Sequence, residues 1–481
     1  MYFTRPLPYG GPYCRRNKPG ALLRLQRGQS LIYGIFMLIA GCVALFFLFN
    51  TGQLTQEKTK LVNTADAVAY SAGIMHARTL NYMAYTNRAM LANTVAISQL
   101  VSLSSWIQYA DKLSTYGATS ISALKYPAFY ASYTSAIYAG PYTKNLLIDT
   151  QAIEKLAVTS DEIIRKELMG AQYAAYQGMV IARRQVMNEV AQANYRNDGS
   201  IEVDDLPLTG GDELQKFITR YEDKQRTRFA HVAQTAAHLD SFNKKRSWEM
   251  PSTPVGVCPG ALATGRLDAL RRRGGTNLIS FDEWKAVDTL SEWKWVPKNK
   301  SDALCRGLSE TPQGWGAQAA NDTTTIDTEL THYDSSALVN PGATGLAQVI
   351  SSSRWNYSGL PSFYDLSENQ LKENDPRLQF AIRVRRKIDQ TRTSEGQSSI
   401  KASKKLNQFH ATPAGGKELV AVSASEVFFE RPPTAHANQY GQANGKSEEL
   451  GSLFNPYWQV RLIHSPTHVK QAQIMQGVVL P

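Results

Sequence analysis

Few residues in this chain have the types and spacing that chemistry needs. His231 and His238 lie seven apart and can share a helix face. They lack the intervening glutamate and the third ligand that a zinc site requires, so a solvated or core pair is the stronger reading. Asp204-Asp205 and Asp282-Glu283 are adjacent carboxylates that point in different directions, which suits a surface or a helix start better than an acid/base dyad. Asn197-Asp198-Gly199-Ser200 lacks the alternating carboxylates of a calcium loop and reads as a turn. There is no Walker-type loop, no His-Glu-x-x-His and no Gly-x-Ser-x-Gly. The set supports no catalysis, no cofactor, no metal and no small-molecule substrate. Arg88, among the apolar Met83, Ala84, Ala89 and Met90, is the candidate partner contact. A half-buried guanidinium needs an anion or carbonyl, and snorkelling into solvent is the alternative.

The element that positions everything else is the run Leu31 to Phe49, LIYGIFMLIAGCVALFFLF, with no charge and no proline. As a helix it spans about 28 Å, close to the hydrocarbon thickness of a bilayer. Leu31, Phe36, Leu38, Leu45 and Phe49 carry the apolar surface of this membrane anchor. Residues 1–30 hold six basic residues and no acid, so the positive-inside bias keeps this arm in the cytoplasm and exports the bulk. A cleaved secretory signal is the competing reading. Against it, the run exceeds a normal h-region and is followed by Asn50-Thr51-Gly52-Gln53 instead of a small-x-small site.

The net charge of +11 falls to +5 once the arm is set aside, with no basic stripe and no nucleic-acid module. Of four cysteines, Cys258 and Cys305 are both on the exported side, where disulfides persist. They are a candidate pair, with two free thiols as the alternative.

Beyond the anchor the sequence predicts an α+β chain. The transmembrane helix continues into an exported helical bundle at 50–246, followed by an α+β head at 247–481. No proline occurs from Gly20 to Tyr126, and Leu54, Leu61, Val68 and Met75 recur every seven residues as a seam for packing against another helix. Composition allows a break near Asn50-Thr51-Gly52 or Gly73. Further helices are expected over Ala118 to Tyr138, Lys144 to Tyr195 and Gly211 to Arg246, the last with Asp212 as N-cap. Past residue 247 tryptophan becomes frequent and alternation predicts strands at Arg377–Ile388 and Trp458–Ile463. Glu418–Glu430 fits a strand or a short helix, and 310–345, 390–416 and 432–450 read as polar loops.

Arg27-Gly28-Gln29 before an apolar helix, then Leu61-Val62-Asn63-Thr64-Ala65-Asp66-Ala67, resembles the start of TadE/TadG-like proteins of the tight-adherence (Flp) pilus system. The stretch Leu80 to Met90, Tyr357-Ser358-Gly359-Leu360-Pro361 and Leu453 to Gln459 are similar to a long TadG-like subgroup. The resemblance implies a minor-pilin-like or assembly component in the bacterial inner membrane. Its amino terminus would be cytoplasmic, its bulk periplasmic or extracellular, and its partners other pilin-like subunits. Two departures matter. Tyr33 stands where pilin-type processing wants glutamate, so the arm is expected to be kept. Asp334-Ser335-Ser336-Ala337-Leu338 lacks the last serine of a von Willebrand-type metal site. A single-pass receptor or adhesin-like binding protein unrelated to pili is the alternative function.

Overall fold

The computed structural model describes residues 29–131, 150–206, 212–321, 340–350, 354–387, 390, 418–430 and 450–475. The arm, Asp334–Leu338 and most of the loops expected at 390–416 and 432–450 lie outside the described residues. Among the described residues the elements are helix α1 (Gln29–Ser120), α2 (Thr150–Glu162), a π-helical turn (Ile163–Met169) and α3 (Gly170–Asn194). Strands β1 (Glu202–Asp205) and β2 (Ile218–Tyr221) precede α4 (Thr227–Ala237). Then come β3 (Trp248–Pro251), β4 (Ala269–Ser280), β5 (Glu283–Val296) and β6 (Gly307–Asn321), followed by α5 (Pro341–Ile350). The chain ends with β7 (Arg354–Asn356), β8 (Phe363–Leu366), β9 (Leu378–Lys387), β10 (Glu418–Phe429), β11 (Trp458–Ile463) and α6 (Pro466–Met475). Short helical turns lie between some of them.

The chain is α+β, headed by one long helix. With 92 residues and no proline, α1 runs unbroken through Gly52 and Gly73. Among the described residues three sheets form: β1-β9-β10-β11, wholly antiparallel; β3-β4-β5-β6-β7, antiparallel except for the parallel β6–β7 edge; and the pair β2-β8. The β1–β9 and β2–β8 pairings cross residue 246, where the composition shifts.

α1 lies across both large sheets, and the backbones come close at two points. At Gly73 a Cβ would overlap Val460 Cγ2 and Ser425 Oγ, so only glycine lets the helix seat on β10 and β11. Further on the strand gives way instead, because a Cβ at Gly316 of β6 would overlap the Ser105 carbonyl of α1. Apolar cores line the inner face of the helix. One joins Met90, Ile97 and Val101 to Phe229, Trp284 and Phe363; another joins Leu80 and Met83 to Phe217, Leu378 and Trp458.

Three expectations are corrected. The helix expected over Gly211–Arg246 is split: Asp212 caps only Glu213–Phe217, β2 then pairs with β8, and α4 follows. Strand pairing and the burial of Ile218 and Tyr221 outweigh local helix propensity there. The helix expected from Ala118 is α1 itself as far as Ser120. Residues 121–126 are not helical, 127–131 are helical as expected, and 132–138 lie outside the described residues. The loop expected from 310 is β6 as far as Asn321, paired along β5. Strands do form over Leu378–Lys387 and Trp458–Ile463, and Glu418–Phe429 is a strand.

Candidate functional site

α1 has two unlike halves. Residues 31–49 stand clear of the body, with Leu31, Phe36, Leu38, Leu45 and Phe49 between 52% and 69% exposed. This segment is long and apolar enough to cross a membrane. From Leu61 onward one face of the same helix is buried. A polar collar marks the change. Glu57 pairs with the buried Arg386 (2.6 Å), Lys60 pairs with Asp198 (2.6 Å), and Lys58 donates to the Val420 carbonyl. The Arg386 and Lys60 cations sit over the Tyr195 ring at 4.6 and 4.2 Å. Asp198 belongs to the turn expected at 197–200, where Asn197 and Gly199 take positive φ. The body thus begins eight residues after Phe49, about 12 Å along the helix.

The heptad seam turns inward. Leu61 and Val68 are fully buried, packed with Met187 and Ala191 of α3 and with Phe380, Ile382, Val384 and Ala421 of the sheet. Leu54 and Met75 are half-buried. The seam meets another helix of this same chain, α3, and β9 and β10 supply the rest of its apolar cover. Arg88 is exposed. The buried polar group is its neighbour Asn87, whose amide donates to the carbonyls of Tyr364 (2.8 Å) and Leu453 (2.7 Å) and accepts from Gln172 (2.7 Å).

Asn81 does similar work six residues earlier. Its amide donates to the Trp458 carbonyl and accepts from the Trp458 N–H, both at 3.0 Å, as a neighbouring strand would. The stretches at Leu80–Met90 and Leu453–Gln459, far apart in sequence, are therefore joined by side-chain amides, that of Asn87 fully buried. Tyr357–Pro361 is held in the same manner. Asp161 accepts from Ser358 Oγ (2.8 Å), while Arg165 of the π turn donates to the Ser358 carbonyl and Arg226 to that of Leu360. The extra residue of a π turn re-aims side chains, and here it points Arg165 at this loop.

Cys258 and Cys305 are joined by a disulfide, and Val257, Ala261 and Trp295 pack around it. His231 is exposed, whereas His238 contacts the Thr276 carbonyl (3.0 Å). Asp204 serves Arg383 and Arg385, and Asp205 serves Arg183 and Arg184, so the two carboxylates do diverge.

Residues 28–78 match the family model of Flp pilus-assembly TadE/G-like proteins. This segment is TadE/G-like. It comprises the bare half of α1, the collar and the seam. No curated protein and no solved structure matches the chain.

Near the end of the TadE/G-like segment lies a buried polar knot that the sequence reading did not anticipate. His76 is fully buried, and its Nε2 faces Arg183 Nη1 at 3.0 Å, edge-on to Phe380. Arg183 pairs with Asp212 (2.6 Å) and stacks over the Phe380 ring (4.4 Å). The only sequence signal was a histidine and an arginine at core spacings of α1 and α3. Burial, then the Arg183 charge, pushes the His76 imidazole down to about 3, although Asp212 pulls the other way. The folded chain therefore keeps His76 neutral, while the unfolded chain protonates it near 6.5. The unfolded state binds the extra proton between those values, so stability falls as pH drops below 6.5, by up to about 1.4 kcal/mol per unit. His76→Gln is expected to flatten urea-midpoint curves between pH 6.5 and 4. An unchanged slope would show that His76 is not the group responsible.

Proposed function

We propose that this protein is a membrane-anchored, minor-pilin-like or assembly component of a Tad/Flp-type pilus, acting through protein contacts and not through catalysis. The observation that carries this reading is the bare apolar rod at 31–49, continuous with a TadE/G-like segment. Burying that rod in lipid removes its exposed apolar surface from water, and an internally bonded helix leaves few backbone groups unpaired there. In this reading the arm at 1–30 stays in the cytoplasm, 31–49 crosses the inner membrane, and residues 50–246 and 247–481 stand outside. The helix continues through residue 50 without a break, which favours a retained anchor over a cleaved signal.

Fractionation tests the reading. The full chain should sediment with membranes and need detergent for release, and deleting 31–49 should free it. Reporter fusions at residues 25 and 120 should report cytoplasmic and exported positions, respectively. A full chain found in the aqueous fraction, or a cytoplasmic signal from residue 120, would defeat the proposal. Loss of pilus assembly in a deletion strain, restored by the full chain, is the expected cellular result.

A further inference from the structure

Residues 67–110 of α1 contain no Asp, Glu or Lys; beside the buried His76, Arg78 and Arg88 are their charged side chains. Both arginines are on the face turned away from the body and, among the described residues, neither forms an ion pair. On that same face stand Tyr70, Ile74, Tyr82 and Tyr85, which are 36–62% exposed. Tyr70 and Arg88 are eighteen residues apart, five full turns, so the face is a straight strip about 27 Å long. The opposite side of the helix is held by α3 and the sheets, so the strip is rigid without a partner.

A helix face kept for water alone usually carries lysine and glutamate. Tyrosine with arginine, in the absence of lysine and acid, is the composition of binding hot spots. The charges also select the occupant. A second copy pairing antiparallel about Met83 would oppose Arg78 with Arg88, and a parallel pairing would oppose each arginine with itself. Lipid is too far, since Tyr70 lies about 31 Å along the helix beyond Phe49.

We propose that this strip docks an acidic, apolar-faced helix of another protein. Its carboxylates would meet Arg78 and Arg88, about 15 Å apart along the axis, and its apolar side chains would cover Tyr82 and Tyr85. The inference relies on the proposed function only for placing residues 70–88 outside the membrane.

The test uses the full chain in its native membrane, with the photo-crosslinking residue p-benzoylphenylalanine in place of Tyr85 and the adduct sequenced. The expected adduct lies in a helix with Asp or Glu on the crosslinked face. Arg78→Glu with Arg88→Glu should lower its yield at least tenfold, and lysine in place of the captured acids should restore it. Both arginines are exposed, so the double variant should keep the parent melting temperature and sediment with membranes. Adducts to lipid, to a glycan or to a second copy, no adduct at all, or a yield indifferent to charge reversal would overturn the inference. A chain that sediments with membranes yet gives no adduct defeats only this inference. A chain that stays soluble defeats the proposed function itself.

Discussion

Asp288→Ala is expected to destabilise the chain by about 3–5 kcal/mol, because it strands two buried cations. Asp288 has no exposed surface. Arg246 grips both of its oxygens (2.7 and 2.9 Å), Arg272 approaches at 2.5 Å, and Ser105 of α1 donates at 2.7 Å. Burial pushes the carboxyl upward, but Arg272, Arg246 and Ser105 outweigh it and hold it below the usual carboxylate range. A carboxyl lowered on folding contributes fully above its unfolded value near 3.8, and the contribution is lost as pH falls through the folded value. The parent and Asp288→Ala should therefore differ most at neutral pH and converge in strong acid. Urea midpoints followed by tryptophan fluorescence read both effects. A neutral-pH difference under 1 kcal/mol would mean that the arginines find other partners.

Leu61→Ala should cost about 2–5 kcal/mol in the isolated chain, with no other subunit present. Leu61 is fully buried against Phe380, Ile382, Val384 and α3, and its removal leaves a cavity between the helix and the sheet. The measurement separates two roles for the seam. If Leu61 served a helix of another subunit, the isolated variant would melt with the parent and only assembly would suffer. The structure predicts the reverse order: lower stability first, with any assembly defect following from it.

The sequence made some of this plain and hid the rest for physical reasons. The apolar run and the following proline-free stretch were legible because period and length are local properties. β9 and β11 were legible because alternation marks a half-buried strand. β6 was not, since Gly314, Gly316, Ala317, Ala319 and Ala320 look like a loop. They are small because α1 lies on the strand, and at Gly316 a side chain would overlap the helix backbone. The seam's period of seven was visible, but a period cannot say whose surface will meet it. Arg88 drew attention as a charge in apolar company. The buried neighbour was Asn87, and one position of helix rotation, about 100°, separates solvent from core. The Arg183–His76 knot required knowing which faces of α1 and α3 meet, which no single stretch encodes.

The collar at Glu57 to Lys60 fastens a continuous helix to the body only eight residues past the apolar run. In the proposed anchored state the compass heading of the head is therefore geared to the angle at which the rod sits in the lipid. Each residue inserted between Asn50 and Gln56 would swing the head by about 100° and lift it by about 1.5 Å, whereas a full-turn insertion would nearly restore its bearing.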